Sequence, residues 1–565
     1  MHKIIGGTLC VLFFSFVIAA PRSMAQPIWS ENEPVPQSGR ENPFELSETQ
    51  RRSALMRGQS YALTYPVEIT GEVLPLVSTL KFFRPEFQSQ LWLQPLRAQL
   101  GSVFQVASFS QLESMIGLID YPENEGEGVY HVPFPQARQP WFKMGTSIID
   151  APEGKAITFS CAACHAGELF GKKVIGLTNR FPRANEFFLN GRTAARLVSP
   201  KIFQAVTKAS DADTAMFRRL RENAEYIDGR FPLVRGLDTS LAHVALSLAR
   251  REDDEWATKN SRSRKEPRDS LLRTQPADSK PAVWWNVKYK NKWLLDGSVV
   301  AGNPIFTNIL WNEIGRGTDL ESLSLWLNNN SDVIEDLTTA VFSSRSPEFL
   351  DFFPEEHFSL DKVREGAALY NQHCAFCHGT YKKGFELSGN AEMSKRELLK
   401  TVRVFYHSNT PVIDVGTDPL RSQGMEALAD PLNRLKISAE NGIVVKVQKG
   451  YVPPPLVGVW ARWPYMHNNA FPDLCSILTP AALRPDRWDV GEAHSKETDF
   501  DSDCNGYPLG QRTPSSWKKN RWGRFDTRRL GMSNRGHDEG IVSENGVAKF
   551  SSDERAALIQ YLQTL

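Results

Sequence analysis

The sequence lacks three features that would place it in common classes of protein. No apolar run is long enough to cross a membrane. Neither sign of charge is in excess, with 66 basic and 65 acidic side chains among 565 residues. Low-complexity segments are also absent, and 41% of the residues are hydrophobic. These absences predict a folded protein without a membrane span, and they give no electrostatic case for binding nucleic acid.

The first 25 residues predict an export signal. Lys3 gives a positive start, residues 9–20 form a short apolar run, and residues 23–25 supply small side chains for cleavage before Gln26. Removing this leader leaves 64 basic against 65 acidic residues. We therefore expect the mature protein to be periplasmic or secreted.

Cysteine is scarce, and its spacing is informative. Of seven cysteines, four lie in the two sequences Cys161-Ala-Ala-Cys164-His165 and Cys374-Ala-Phe-Cys377-His378. This spacing is the attachment signal for haem c, in which the thiols add to the porphyrin vinyl groups and the histidine binds the iron. A thioredoxin-like redox pair would need a βαβ setting that the sequence does not show, and a zinc site would not explain both histidines. The sequence predicts two covalently bound haems c, held by Cys161, Cys164, His165, Cys374, Cys377 and His378.

The remaining mature pair, Cys475 and Cys504, predicts a disulfide in an oxidising compartment, with two buried free thiols as the alternative. Such a bond would stabilise the fold by about 3.5 kcal/mol through loop closure. Beside it, Asp501, Asp503 and Asn505 match the first half of a calcium loop, although the closing glutamate is absent. Calcium is therefore a second candidate cofactor, and an acidic turn is the alternative.

Helix signals predict the frame around the second motif. Ser359 can cap a helix that runs into Cys374, and Ser551-x-x-Glu554 is a capping box that opens a terminal helix. The stretch 146–159 before the first motif instead indicates a turn or hairpin.

These patterns predict a mainly α fold with two cytochrome-c-like haem domains, long loops and minor β-hairpins. We assign residues 1–25 to the signal peptide, 26–43 to an exposed arm, 44–350 to the first haem domain and 351–565 to the second.

The ligands that complete each iron decide the chemistry, because a haem with an open face can react with O2 or peroxide. His537, which precedes the terminal helix, is our first candidate for the sixth ligand of the second iron. Met466 and His467 are the alternatives. Trp284 and Trp285 could relay electrons between haems or wall a substrate pocket, and core packing is the alternative.

Together these residues resemble the bacterial di-haem cytochrome c peroxidase superfamily, and within it most closely the rubber oxygenases. The likeness extends from about residue 130 to the end. It rests on the two C-x-x-C-H motifs, Phe159 to Gly167 with Gly176 to Asn179, Trp284-Trp285, Gly416 to Pro419, Pro464 to Asn468, and Gly536-His537. After Pro455 the chain has Leu456-Val457, where the peroxidases usually have a Leu-Arg step, which counts against a standard peroxidase.

The resemblance implies a division of labour. The first haem, with His165 and the two tryptophans as catalytic residues, would activate O2 or peroxide. The second, with His378 and His537, would transfer electrons. Expected partners are the small oxidant, a small electron-carrier protein and an unsaturated hydrocarbon substrate. An electron-transfer cytochrome without substrate chemistry of its own is the alternative.

Overall fold

A computed structural model of the protein describes residues 27–84, 108–136, 138–234, 236–238, 240–253, 255–520 and 523–565. The predicted signal peptide lies outside the described residues. Within them, no helix combines the length and the apolar character that crossing a membrane requires.

Helices outnumber strands in the described chain, in agreement with the prediction of a mainly α fold. Most are short, and long loops join them. The helices are α1 (Glu48–Thr64), α2 (Leu76–Phe82), α3 (Phe109–Met115), α4 (Ala162–His165), α5 (Ala184–Leu197), α6 (Pro200–Thr207), α7 (Asp211–Ala224), α8 (Ser240–Leu248), α9 (Ser261–Lys265), α10 (Pro304–Gly315), α11 (Leu320–Asn329), α12 (Ser331–Phe342), α13 (Leu360–His373), α14 (Ala375–His378), α15 (Lys395–Lys400), α16 (Leu420–Gln423), α17 (Ala429–Asn433), α18 (Lys436–Glu440), α19 (Leu474–Ile477), α20 (Ser515–Lys518) and α21 (Ser552–Gln563).

The strands form small antiparallel sheets. One has three strands in the order β1-β3-β2, and the others are the pairs β4-β5, β6-β9, β7-β8, β10-β11 and β12-β13. The strands are β1 (Leu74–Pro75), β2 (Thr146–Ala151), β3 (Gly154–Phe159), β4 (Ala166–Leu169), β5 (Lys172–Ile175), β6 (Val299–Ala301), β7 (Thr380–Lys383), β8 (Val402–Phe405), β9 (Val444–Val445), β10 (Arg487–Asp489), β11 (Arg524–Asp526), β12 (Ser543–Glu544) and β13 (Val547–Ala548).

Helices α13 and α21 pack against each other, and both begin where the sequence predicted. Ser359 caps α13, and Ser551 with Glu554 forms the predicted capping box of α21. The helices approach so closely that a Cβ at Gly366 would lie 2.1 Å from the carbonyl oxygen of Ala557. Glycine therefore allows the contact that holds the second motif, at the end of α13, against the terminal helix.

The protein has two large hydrophobic cores, one around each haem motif. Each core is built from segments that are not consecutive in the chain. Residues 420–445, which the sequence assigned to the second domain, contribute Leu428 and Val445 to the first core. Strand β9 also pairs with β6. The adjacent Trp284 and Trp285 belong to the first and the second core respectively.

The segment 26–43, expected to be an exposed arm, is tied to the rest of the protein from residue 27 onward. Most of its side chains keep contact with solvent, but Val35 is buried and Trp29 packs on the first core. Backbone hydrogen bonds join Glu31 to Val300 and Val35 to Ser408.

Candidate haem sites

The first motif follows a β-hairpin, as the sequence predicted. Strands β2 and β3 pair from Thr146 opposite Phe159 to Ala151 opposite Gly154. The chain then enters the single helical turn α4, with Cys161 at its start. This turn brings both thiols and the imidazole of the first motif together.

Both motif histidines are held in the same way. Nδ1 of His165 lies 2.9 Å from the carbonyl oxygen of Ala282, and Nδ1 of His378 lies 2.9 Å from that of Pro454. A carbonyl only accepts hydrogen bonds, so Nδ1 carries the proton and Nε2 keeps its lone pair. This second contact orients metal-binding histidines in proteins generally, and it fits an iron at each site.

The motif side chains are partly exposed, and burial shifts the pKa values of several of them. Burial raises the pKa of Cys161 and of Cys164, and it lowers the pKa of His165 and of His378 to about 4 each. Yet these side chains, like Cys374, are only half-buried, and the motif thiols form no disulfide. Four half-buried thiols that form no disulfide, each pair followed by a histidine, fit covalently attached haem.

A second imidazole faces the second motif. The ring centroids of His378 and His537 are 6.5 Å apart. A metal–imidazole bond is about 2 Å long, so one metal bound between two imidazoles holds their centroids roughly 6 Å apart. The pKa of the His537 imidazole is lowered to about 3 by burial, then by His378 and Arg484. The spacing fits His537 as the other ligand of one iron.

The loop that carries His537 is held from several sides. The guanidinium of Arg484 donates to the carbonyl oxygens of Asn534, Gly536 and His537 at 2.5 to 2.9 Å. The backbone N–H of His537 donates to Val415 at 2.8 Å. The φ of His537 is +56°, a conformation that costs a non-glycine residue free energy and often marks a functional position.

The first motif has a different neighbour. The ring of His165 contacts Trp284, with centroids 5.9 Å apart and planes tilted by 40°. In the part of the chain that the structure describes, no second histidine ring contacts that of His165. The two sites therefore differ in the ligands that they offer to iron.

The alternative ligands make other contacts. His467 is buried and stacks on Tyr451, with centroids 4.0 Å apart and planes within 13°. Burial lowers the pKa of His467 to about 3. Met466, at a φ of +66°, packs on the second core. The ring contacts thus bring His537, rather than His467, to His378.

The two tryptophans connect the sites. Ala282, which accepts the hydrogen bond of His165, lies two residues before Trp284. Nε1 of Trp285 donates to the carbonyl oxygen of Val457 at 2.9 Å, three residues after Pro454. A short path of backbone and hydrogen bonds therefore runs from one motif histidine to the other. Both tryptophans are also buried core residues.

A buried polar network beside the first motif was not predicted from the sequence. The hydroxyl of Tyr65 donates to Glu313, and Arg316 stacks 4.1 Å from the Tyr65 ring. Burial raises the pKa of Tyr65, and Cys161 contributes to this shift; burial also raises the pKa of Glu72 to about 8. These residues are far apart in the chain and match no motif, so no pattern in one sequence could have found them.

The predicted disulfide between Cys475 and Cys504 is present. In the adjacent turn, Asp501 pairs with Arg512, and it also accepts hydrogen bonds from the backbone N–H groups of Asp503 and Cys504 at 3.1 and 3.3 Å. Asn505 donates to Trp460 and to Tyr465. The described residues contain no cluster of three or more histidine, cysteine or acidic side chains placed to hold a metal ion. Calcium stays a prediction.

Family models match two segments around the second motif. One, described as RoxA-like, cytochrome c-like, matches residues 450–489, which include the Pro454 carbonyl. The other, described as cytochrome c oxidase, cbb3-type, subunit III, matches residues 361–411, which include Cys374 to His378. The chain contains cytochrome c-like segments. They imply covalently bound haem c and a redox role in electron transfer.

Two relatives from Sinorhizobium fredii align with parts of the chain. The uncharacterized protein y4iJ is 28% identical over 249 residues, 36% of this chain and 38% of its own length. The uncharacterized protein y4iM is 24% identical over 240 residues, 38% of this chain and 52% of its own length. The chain thus spans about half or less of these relatives, and neither name states an activity.

Proposed function

We propose that the protein is an exported c-type cytochrome with two haems, an oxidoreductase that activates O2 or peroxide at the first and exchanges electrons through the second. The observation that carries this proposal is the difference between the motif histidines. His378 faces a second imidazole, which suits electron transfer, whereas His165 faces Trp284. An iron with an open coordination position supplies the chemistry of O2 and peroxide.

The chain's own residues have distinct tasks in this proposal. His165 and His378 would bind iron through Nε2, and their carbonyl partners fix the tautomer. His537 would be the second protein ligand of the second iron and would exclude external ligands from it. Trp284 and Trp285, with the backbone from Val457 to Pro454, carry electrons between the sites.

Within this class we favour a rubber-oxygenase-like activity over a peroxidase-like one. The RoxA-like match at residues 450–489 supports this choice. Leu456-Val457 lies inside that segment, at the position where the sequence departs from the usual peroxidase pattern.

The alternative is an electron carrier without a substrate of its own. Cytochrome c-like segments by themselves support electron transfer alone, and the cbb3-type match is to an oxidase subunit. In that case both irons would have two protein ligands, and the protein would exchange electrons with a partner cytochrome but turn over no substrate.

Two parallel assays test the proposal. The purified holoprotein is incubated with H2O2 and a reduced cytochrome, and separately with O2 and a polyisoprene or unsaturated lipid. We expect O2 consumption with cleavage of the hydrocarbon, and its loss in a His165→Ala variant. A His357→Gln variant is the control. It removes an imidazole whose hydrogen bond goes to Gln563 on α21 and not to either motif. Peroxide turnover alone would select the peroxidase activity, and no turnover in either assay would favour the electron carrier.

A further inference from the structure

Two half-buried cations, Lys290 and Arg462, have no acidic partner among the described residues. Burial and the charge of Arg462 lower the pKa of Lys290 to about 8, and burial lowers the pKa of Arg462 to about 10. Among the ion pairs of the described residues, none includes either side chain. Like charges that are close together and desolvated are costly unless an anion compensates them.

The position of Arg462 ties it to the second motif. One of its guanidinium nitrogens donates to the carbonyl oxygen of Pro455 at 2.8 Å, next to the Pro454 carbonyl that holds His378. The charge of Arg462 also contributes to the lowered pKa of His378. Arg462 is therefore a neighbour of any group attached at this motif.

The segment that carries Lys290 is tied to the same carbonyl as Arg462. It follows the 3₁₀ turn Trp284–Tyr289. Within that turn, Asn286 donates to the same Pro455 carbonyl at 3.1 Å. Lys290 and Arg462 are both half-buried in spite of their desolvation, as the motif side chains are. The shared Pro455 carbonyl therefore brings the segments that carry Lys290 and Arg462 together beside the second motif.

Two other cations nearby, Arg180 and Lys280, have their donors satisfied by backbone carbonyl oxygens. Arg180 donates to the carbonyl oxygens of Trp463, Glu168 and Ala461 at 2.9 to 3.1 Å. Lys280 donates to two carbonyls, at 2.7 and 3.1 Å. By contrast, Arg462 makes one such bond, and the ammonium group of Lys290 makes none to the described residues. The guanidinium group of Arg462 and the ammonium group of Lys290 therefore keep N–H donors without a partner among the described residues. A carboxylate accepts hydrogen bonds from donors of this kind.

We propose that Lys290 and Arg462 bind a propionate carboxylate of the haem attached at Cys374 and Cys377. This inference rests on the second haem of the proposed function and assigns its anchoring residues. The pair positions the haem and does not take part in the reaction. It also favours the reduced state of this iron, because a nearby cation repels the additional positive charge that the oxidised iron carries.

The test is a potentiometric titration of the purified holoprotein and of the variants Arg462→Gln, Lys290→Gln and Arg462→Lys. Over about 10 Å at an effective dielectric constant of about 20, one charge changes the reduction equilibrium roughly tenfold. We expect the two glutamine variants to shift the reduction equilibrium of the second haem roughly tenfold towards the oxidised state, and Arg462→Lys to keep most of the wild-type potential. Lys382→Gln is the matched control, since it removes an exposed cation four residues from His378, where water screens the charge.

Two further readouts identify the anion. If it is a propionate, the glutamine variants raise its pKa, so their potential gains a pH dependence in mildly acidic solution, and the propionate bands in resonance Raman spectra shift. A wild-type potential that depends on chloride concentration would instead reveal an inorganic ion and overturn the proposal. Potentials and Raman bands equal to those of Lys382→Gln would also overturn it.

Haem content and carbon monoxide binding are measured on the same samples. They distinguish a failure of the anchoring role from a failure of the proposed function. Two haems per chain with an unchanged ligand set would leave the proposed function intact while the anchoring role failed. If a glutamine variant does not fold, Arg462→Lys keeps the charge but loses the planar fork of the guanidinium. It should then still move the Raman bands.

Discussion

Replacing His537 with glycine should open the second iron to external ligands. The imidazole of His537 lies 6.5 Å from that of His378, centroid to centroid, whereas the ring of His165 contacts Trp284. One of the two irons in the wild-type protein should therefore bind carbon monoxide after reduction, and both should bind it in the variant. The stoichiometry should double, from one to two per chain.

Glycine is the right replacement, because the φ of position 537 is +56°. Glycine adopts this conformation without cost, whereas alanine would keep a strain of roughly 1 kcal/mol. The assay is an optical titration of the reduced protein with carbon monoxide, alongside electron paramagnetic resonance of the oxidised protein, in which one low-spin signal should disappear.

The matched control is His467→Gln, which removes another buried imidazole, the one that stacks on Tyr451. It should leave the stoichiometry at one. If His467→Gln opens the second iron and His537→Gly does not, the ligand assignment is wrong. A wild-type protein that binds two molecules of carbon monoxide, or none, would refute the asymmetry between the sites.

Three further predictions concern the connection between the sites, pH and the disulfide. Trp285→Phe should slow electron exchange between the haems in stopped-flow experiments without changing haem content, because the indole N–H bond to the backbone is lost. The pKa of Glu72 is raised from 4.5 to about 8, so between these values the folded state keeps a proton that the unfolded state releases, and stability falls as pH rises. Glu72→Gln should therefore add stability that grows from pH 5 to pH 8, up to about 5 kcal/mol in the free energy of unfolding; an advantage independent of pH would contradict this. Replacing Cys475 and Cys504 with serine should lower the free energy of unfolding by about 3.5 kcal/mol and leave the haem spectrum unchanged, as denaturant titration can show.

Local signals in the sequence predicted the frame of the second site well. Caps at Ser359 and Ser551 act within one helical turn, and the apolar face of α21 repeats with the helical period, so neither needs knowledge of distant contacts. The hairpin before Cys161 was predicted for the same reason.

What the sequence could not predict depends on contacts between distant segments. Arg462 and Lys290 are 172 positions apart in the chain, and cations are usually exposed, so nothing marked them as an interior pair. Likewise, residues 420–445 pack into the first core although they follow the second motif in the chain. Order along the chain suggested two consecutive domains, whereas long-range packing mixes their sequences.

The three prolines at 453–455 give the connection between the sites a mechanical property. Tyr406 donates to the Pro453 carbonyl at 2.5 Å, His378 bonds to that of Pro454, and Arg462 and Asn286 share that of Pro455. Proline rings fix φ, so this stretch has little freedom to bend. It is therefore a stiff segment, and each of its three carbonyl oxygens accepts a hydrogen bond. The separation of the two irons should therefore hardly fluctuate, and electron exchange between them should be insensitive to solvent viscosity.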